Sequence, residues 1–210
     1  MDKTVEKVLR DGLEQLALAL PSGAEHALLT YVDLLAHWNR TYNLTAVRDP
    51  AEMVTRHVLD SLAVKPWMQP GRLMDAGAGA GLPGIPLAIA DPTLEVTPVD
   101  SAGKKVRFMN HVKRRLALAN VHPLHARVEQ LEPGEPFDAV ISRAFTSLKS
   151  FATAVRHVLP GSGRLLAMKG HFPEQEIDSL PDWVRVDSVE KIVVPGLHEN
   201  RHLVIMSLDP

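Results

Sequence analysis

The stretch MDAGAGAGLPGIP, Met74 to Pro86, sets four glycines and two prolines between two hydrophobic runs. Backbone this bare serves either a tight strand-to-helix turn or a ligand that must approach main chain with no Cβ in the way. Gly79-Ala80-Gly81-Leu82-Pro83-Gly84 satisfies G-x-G-x-x-G, and Asp100 follows about twenty residues later, as in a dinucleotide site. Two details argue against a pyrophosphate. Asp75 closes the hydrophobic run just before the loop and would set a carboxylate beside it with no cation to offset the charge. Pro83 and Pro86 remove N–H donors where the following helix should offer several. S-adenosylmethionine suits the same loop better, because it carries an ammonium and a sulfonium and no phosphate. Gly77, Gly79 and Gly81 then let backbone meet the ligand, and Asp100 is placed to accept hydrogen bonds from ribose hydroxyls. A turn with no ligand remains the third reading, and acids at two successive strand ends make it the weakest.

The rhythm around this loop is that of an α/β protein. From residue 71 short apolar runs alternate with helical patterns. Strands are predicted at Arg72–Asp75, Leu94–Asp100, Val121–Ala126, Phe137–Ser142 and Arg164–Lys169, and helices at Ile85–Ala90, Lys104–Leu118 and Thr146–Leu159. Val184–Val194 and His202–Leu208 read as a closing hairpin. Such alternation implies a mostly parallel sheet with ligands at the carboxyl ends of its strands. The first third is helical instead, with helices expected at Val5–Leu20, Ala24–Trp38 and Pro50–Val64. Asp49 is the expected N-cap of the last, and Pro50 its first residue. We therefore divide the chain into a helical extension, residues 1–68, and a catalytic domain, residues 69–210.

Composition narrows the chemistry. The 210 residues include no cysteine, which excludes disulfides, thiolate metal sites and any thiolate nucleophile. His122 and His125 lack a carboxylate at ligand spacing, so no metal site is assigned. Net charge is −2, so nucleic-acid binding would need a local basic patch. The charged N-terminus lacks a signal peptide's apolar core, and no apolar run is long enough to span a bilayer, which makes a cytoplasmic protein the expectation.

The runs WNRTYNLTAVRDPAEMVTRHVLDSL, DAGAGAGLPGIPLAI, VDSAGKKVRFM, ARVEQ, FDAVISRAF and LLAMKG, in that order, resemble the bacterial small-subunit rRNA guanine-N7 methyltransferases, the RsmG or GidB family. The resemblance covers nearly the whole chain. It implies a class I S-adenosylmethionine-dependent methyltransferase, Rossmann-like, with a seven-stranded mostly parallel sheet preceded by an N-terminal helical extension. It also implies cofactor contacts from Gly77, Leu82, Val128, Glu129 and Arg143, to which the class I pattern adds Asp75, Gly79 and Asp100. Ala78 departs from the Ser or Thr often found there, at a cost of one side-chain hydrogen bond at most.

The implied reaction asks little of side chains. Guanine N7 has a free lone pair and no proton to lose, so in-line displacement at the sulfonium methyl needs positioning more than acid–base help. Ser142-Arg143-Ala144-Phe145 stands where exocyclic-amine methyltransferases carry an Asn/Asp-Pro-Pro-aromatic motif. Arg143 and Lys169 are the catalytic candidates. Phe145 is either a base-stacking ring or, more in keeping with aromatics at strand ends, a core residue. The product base is cationic, so basic residues are assigned to phosphates. Lys104, Lys105, Arg107 and Arg127 are the candidates, with His57 on the substrate side. Residues 104, 107, 111 and 115 would share a helical face. The expected partner is small-subunit rRNA or the 30S subunit, bound by a monomer. Two rival readings stay open: a small-molecule methyltransferase, and an RNA- or nucleotide-binding module without catalysis.

Overall fold

In the computed structural model, which describes residues 2–143 and 145–209, seven strands form one sheet. They are β1 (Gly71–Ala76), β2 (Leu94–Asp100), β3 (Leu124–His125), β4 (Ala139–Ser142), β5 (Arg164–Lys169), β6 (Val184–Ile192) and β7 (Arg201–Leu208). Their order is β3-β2-β1-β4-β5-β7-β6, and β7 alone runs opposite to the other six. Successive side chains point to opposite faces. Leu73 and Met74, Leu166 and Leu165, and Leu203 and Val204 fall into separate apolar layers. The chain walks outward from β1 through β2 to β3, then returns to β4 on the other side of β1. That reversal opens a crevice at the carboxyl ends of β1 and β4, where open α/β sheets bind ligands.

The helical extension thickens one side of this sheet. Helices α1 (Lys3–Leu16) and α2 (Ala24–Tyr42) lead to a third helical stretch, 50–62. The stretch comprises α3 (Pro50–Met53), a π-helical segment Val54–Leu59 and α4 (Asp60–Leu62). Asp49 caps it by accepting from the Glu52 amide at 2.9 Å, with Pro50 in the first turn. Beneath lies α5 (Gly84–Ala90), every residue of it buried, because the sheet covers one face and α2 and α4 the other. A helix apolar all round, GIPLAIA, is what such a position requires. One apolar layer therefore runs from Leu9, Leu28 and Leu62 through Ile85 to Leu73 and Val96.

Several boundaries differ from those expected. Helix α1 stops at Leu16, where Ala17 turns left-handed (φ 51°) and its amide returns to the Glu14 carbonyl. Helix α2 continues to Tyr42 before Asn43 ends it the same way. The third strand shrinks to Leu124–His125 plus an isolated bridge from Val121 to Val96, since Pro123 has no amide to give the ladder. Helix α6 (Gly103–Arg115) ends before Leu118, and α7 (Leu148–Val155) passes into a 3-10 turn, Arg156–Val158. The short α8 (Glu174–Asp178) has no counterpart among the expected elements. Among the described residues no helix is long and apolar enough to cross a membrane.

Candidate active site

The glycine loop leaves β1 at Ala76 and enters α5 at Gly84. Gly77, Gly79 and Gly81 all have positive φ (70°, 62° and 86°), a conformation that side chains disfavour. The loop is held at both ends by acids. Asp100 Oδ2 accepts from the Gly79 amide at 2.9 Å, and Asp75 Oδ2 from the Gly84 amide at 2.8 Å. From above, the buried Tyr31 hydroxyl of α2 donates to the Ala80 carbonyl at 3.0 Å. A Cβ on Gly84 would fall 2.8 Å from Asp75 Oδ2, whereas one on Gly79 would meet nothing within 4 Å. Gly84 is thus needed for packing, and Gly79 faces open space.

Asp75 is wholly buried, and its Oδ1 has no partner. Burial pushes its carboxyl up to about 7, against the Gly84 amide and the Arg143 guanidinium, which pull it down. Asp100 also accepts from the Ala102 amide at 2.8 Å and from Lys105 Nζ at 3.2 Å. An orphaned carboxylate oxygen under an uncrowded glycine loop suits a ligand that carries positive charge near one end.

Beside the loop a cleft of about 340 Å³ opens, lined by Val47, Arg56, His57, Asp60, Arg143, Met168, Lys169, Gly170 and Arg201. Asp60 organises it. Its Oδ2 lies 3.0 Å from Arg143 Nη1 and its Oδ1 2.9 Å from Arg201 Nε, while its side chain is only 2% exposed. Arg143 Nη1 also donates to the Arg56 carbonyl at 3.2 Å, inside the π segment. An extra residue in a helical turn displaces backbone groups and side chains from the regular pattern, and here it sets Arg56 and His57 on the cleft. His57 Nε2 meets Thr45 Oγ1 at 2.8 Å and its Nδ1 is unpartnered. Burial, with help from the Arg143 guanidinium, lowers its pKa to about 4, so the ring is neutral at neutral pH. Lys169 is tied to Glu176 Oε2 at 2.8 Å, and the same carboxylate caps α7 through the Leu148 amide at 2.7 Å.

Comparison with known proteins agrees with this geometry. Residues 24–204 match the model of the family described as GidB, rRNA small subunit methyltransferase G. The ribosomal RNA small subunit methyltransferase G of Salmonella arizonae is 49% identical over 194 residues, covering 92% of this chain and 94% of its own length. The chain belongs to the GidB family. It is an S-adenosylmethionine-dependent methyltransferase. The Methylobacillus flagellatus enzyme of the same name is 46% identical over 202 residues, covering 96% of this chain and 98% of its own. TrmN from Thermus thermophilus shares the fold at a TM-score of 0.57 and 17% identity, over 81% of this chain and 53% of its own.

In this GidB chain the expected residues fall into three groups. Asp75, Gly77, Gly79, Leu82 and Asp100 converge on the loop, with Val128 and Glu129 in the 3-10 turn Val128–Gln130 that follows β3. Val128 is buried and Glu129 exposed. Arg143, Lys169 and His57 share the cleft. The basic candidates of α6 are divided. Lys105 turns to Asp100, Lys104 Nζ donates to the Tyr42 carbonyl at 2.8 Å, and His111 packs against Trp38 at 5.2 Å. Arg107 and Arg127 are exposed. Phe145 packs on Phe151 at 5.3 Å, so it is a core ring, and Ala144 of the same motif lies outside the described residues.

Arg56, Arg201, Glu176, Thr45 and Tyr31 carry parts of the site that sequence reasoning did not assign. Arg201 is 141 residues from Asp60 and had no local signal. For Tyr31 a signal existed: the hydroxyl of a fully buried tyrosine must find a partner.

Proposed function

We propose that this chain methylates N7 of a guanosine in small-subunit rRNA, with the naked RNA or the 30S subunit as partner, working in the cytoplasm. The observation that carries the reading is the cleft next to the glycine loop. It is lined by Arg56, Arg143, Lys169, Arg201 and a neutral His57, with the one lining carboxylate, Asp60, held by two guanidiniums. Such a site attracts a polyanion and offers only the weak, buried base His57, and N7 needs none. The relatives, each a ribosomal RNA small subunit methyltransferase G, point the same way.

When bound, S-adenosylmethionine supplies a methyl group made electrophilic by its positively charged sulfur. Gly77, Gly79 and Leu82 would line it, with Asp75 beneath its charged end. Asp100 keeps one acceptor direction for a ribose hydroxyl beyond its three protein donors. Val128 and Glu129 would border the base. Arg143, at the end of β4, reaches both the loop's side and the cleft, which suits it to align the target. Lys169 lends positive charge at the far wall, and positioning of this kind is enough to account for most of the acceleration. Lys104, Arg107 and Arg127 would meet phosphates outside the cleft, whereas Lys105 serves chiefly to neutralise Asp100.

The test uses small subunits from a bacterium lacking such an enzyme, with methyl-labelled S-adenosylmethionine. Labelled rRNA that borohydride and aniline cleave at one new position is the expected result. Turnover on metabolites without RNA would instead establish a small-molecule methyltransferase, and cofactor binding without any transfer would establish a binding module.

A further inference from the structure

Two arginines that line the cleft already hold an anion, and the anion is the protein's own. Glu199, in the connection between β6 and β7, sets Oε1 2.8 Å from Arg56 Nη2 and Oε2 3.1 Å from Arg201 Nη2. A carboxylate shared by two guanidiniums has the charge and spacing of a phosphodiester held through its non-bridging oxygens. The guanidinium of Arg201 and the backbone of Arg56 are fixed from behind. Arg201 Nε is anchored on Asp60, and the Arg56 carbonyl accepts from Arg143. The two acids differ in depth. Asp60 is 2% exposed and cannot leave, whereas Glu199 is 47% exposed and can swing into solvent. Exposed pairs contribute little to stability, so replacing this carboxylate by another anion costs the fold almost nothing.

We propose that Arg56 and Arg201 form a binding site for a backbone phosphodiester of the RNA, and that Glu199 is an internal surrogate the RNA displaces. The proposal rests on the functional reading above and adds a selection step to it. A tethered carboxylate holds its place at high effective concentration, so an isolated phosphate or a mononucleotide competes poorly. A strand that also engages Arg143, Lys169 and the exposed basic residues does not.

The test is Glu199→Gln, which keeps the size and removes the charge. Binding to a small-subunit rRNA fragment would be followed by fluorescence anisotropy at several salt concentrations, alongside S-adenosylhomocysteine binding and thermal unfolding. The expected result is RNA binding about three- to tenfold tighter, with a salt slope steeper by up to about one. Affinity for S-adenosylhomocysteine and the unfolding temperature stay as in the wild type. Adding Arg56→Gln to Glu199→Gln erases the gain. A carboxylate with a merely structural role gives the opposite: RNA affinity unchanged or reduced, which overturns the proposal. If the wild-type protein neither binds rRNA nor methylates it, the functional reading falls and the surrogate with it. If the wild type does both and Glu199→Gln binds no tighter, only the surrogate falls.

Discussion

The Tyr31 hydroxyl and the Ala80 carbonyl, 49 residues apart, meet at 3.0 Å in a fully buried hydrogen bond that joins the helical extension to the glycine loop. Burial raises the phenol far above its ordinary range, so the group is a fixed donor. Removing it in Tyr31→Phe leaves the carbonyl of a buried residue without that partner, in a loop whose conformation the cofactor must find ready-made. Cofactor affinity is expected to fall about three- to tenfold, in keeping with one lost hydrogen bond. KM for RNA should not move, which separates loop positioning from general damage. Calorimetric titration with S-adenosylhomocysteine, set beside RNA titration, checks both.

Gly79 and Gly84 separate ligand-facing from packing glycines. At Gly84 an added Cβ meets Asp75 Oδ2 at 2.8 Å and Val96 Cγ1 at 2.9 Å, so Gly84→Ala must push aside the buried side chains of Asp75 and Val96. A destabilisation of about 1–3 kcal/mol is expected, read as a lower denaturant midpoint. At Gly79 there is room, but φ is +62°, and a side chain there costs about 1–2 kcal/mol. Its Cβ would also project into the space that suits the cofactor. Gly79→Ala should therefore lose S-adenosylhomocysteine binding while keeping a cooperative transition. Binding retained in Gly79→Ala would move the cofactor away from that residue.

What was legible in the sequence was local. Asp49 and Pro50 opened the third helical stretch as expected, because a cap and a fixed φ act within four residues. Leu94–Asp100 and Arg164–Lys169 are legible to the residue; in the latter, covered on both faces, Leu165 to Met168 form an uninterrupted apolar run between two basic ends. The end of α1, four residues short of the expected Leu20, has a physical reason. Leu18 and Leu20 continue the apolar content from Leu16, but at a two-residue period, and they pack on the core after the helix has ended at Ala17. The loop and its two acids were visible as one motif. The cleft was only half visible: Arg143, Lys169 and His57 were named, whereas Arg201 and Arg56 enter through β7 pairing and a π segment that no short-range pattern announces.

Asp60 is the keystone of the cleft, and its removal should show it. Asp60→Asn leaves Arg143 and Arg201 facing each other with one neutral acceptor between them, in a setting where the acid was 2% exposed. Breaking one side of a buried charge network costs about 3–5 kcal/mol when no water replaces it, and the open cleft reduces that figure. The expected result is a loss of about 2 kcal/mol in urea unfolding with methyl transfer nearly abolished. A stable, fully active Asp60→Asn protein would show that the arginines need no anchor.

Two buried titratable groups set opposing pH dependences. His57 is held down at about 4 by burial and by Arg143, from 6.5 in the unfolded chain. A depressed base contributes stability that is present above 6.5 and lost as pH falls through 4. Asp75 is pushed up to about 7 by burial, from 3.8. A raised acid contributes stability that is complete below 3.8 and lost as pH rises through 7. Across the shared window each slope is about 1.4 kcal/mol per pH unit, with opposite signs, so in the wild type they nearly cancel. Single substitutions unmask them. Without cofactor, His57→Gln should lose stability relative to the wild type as pH rises from about 4.5 to about 6.5, and Asp75→Asn should gain it. Urea unfolding at a few points across that range measures the slopes. Parallel profiles for all three proteins would mean that neither group is as deeply desolvated as its position under the loop or on the cleft wall requires.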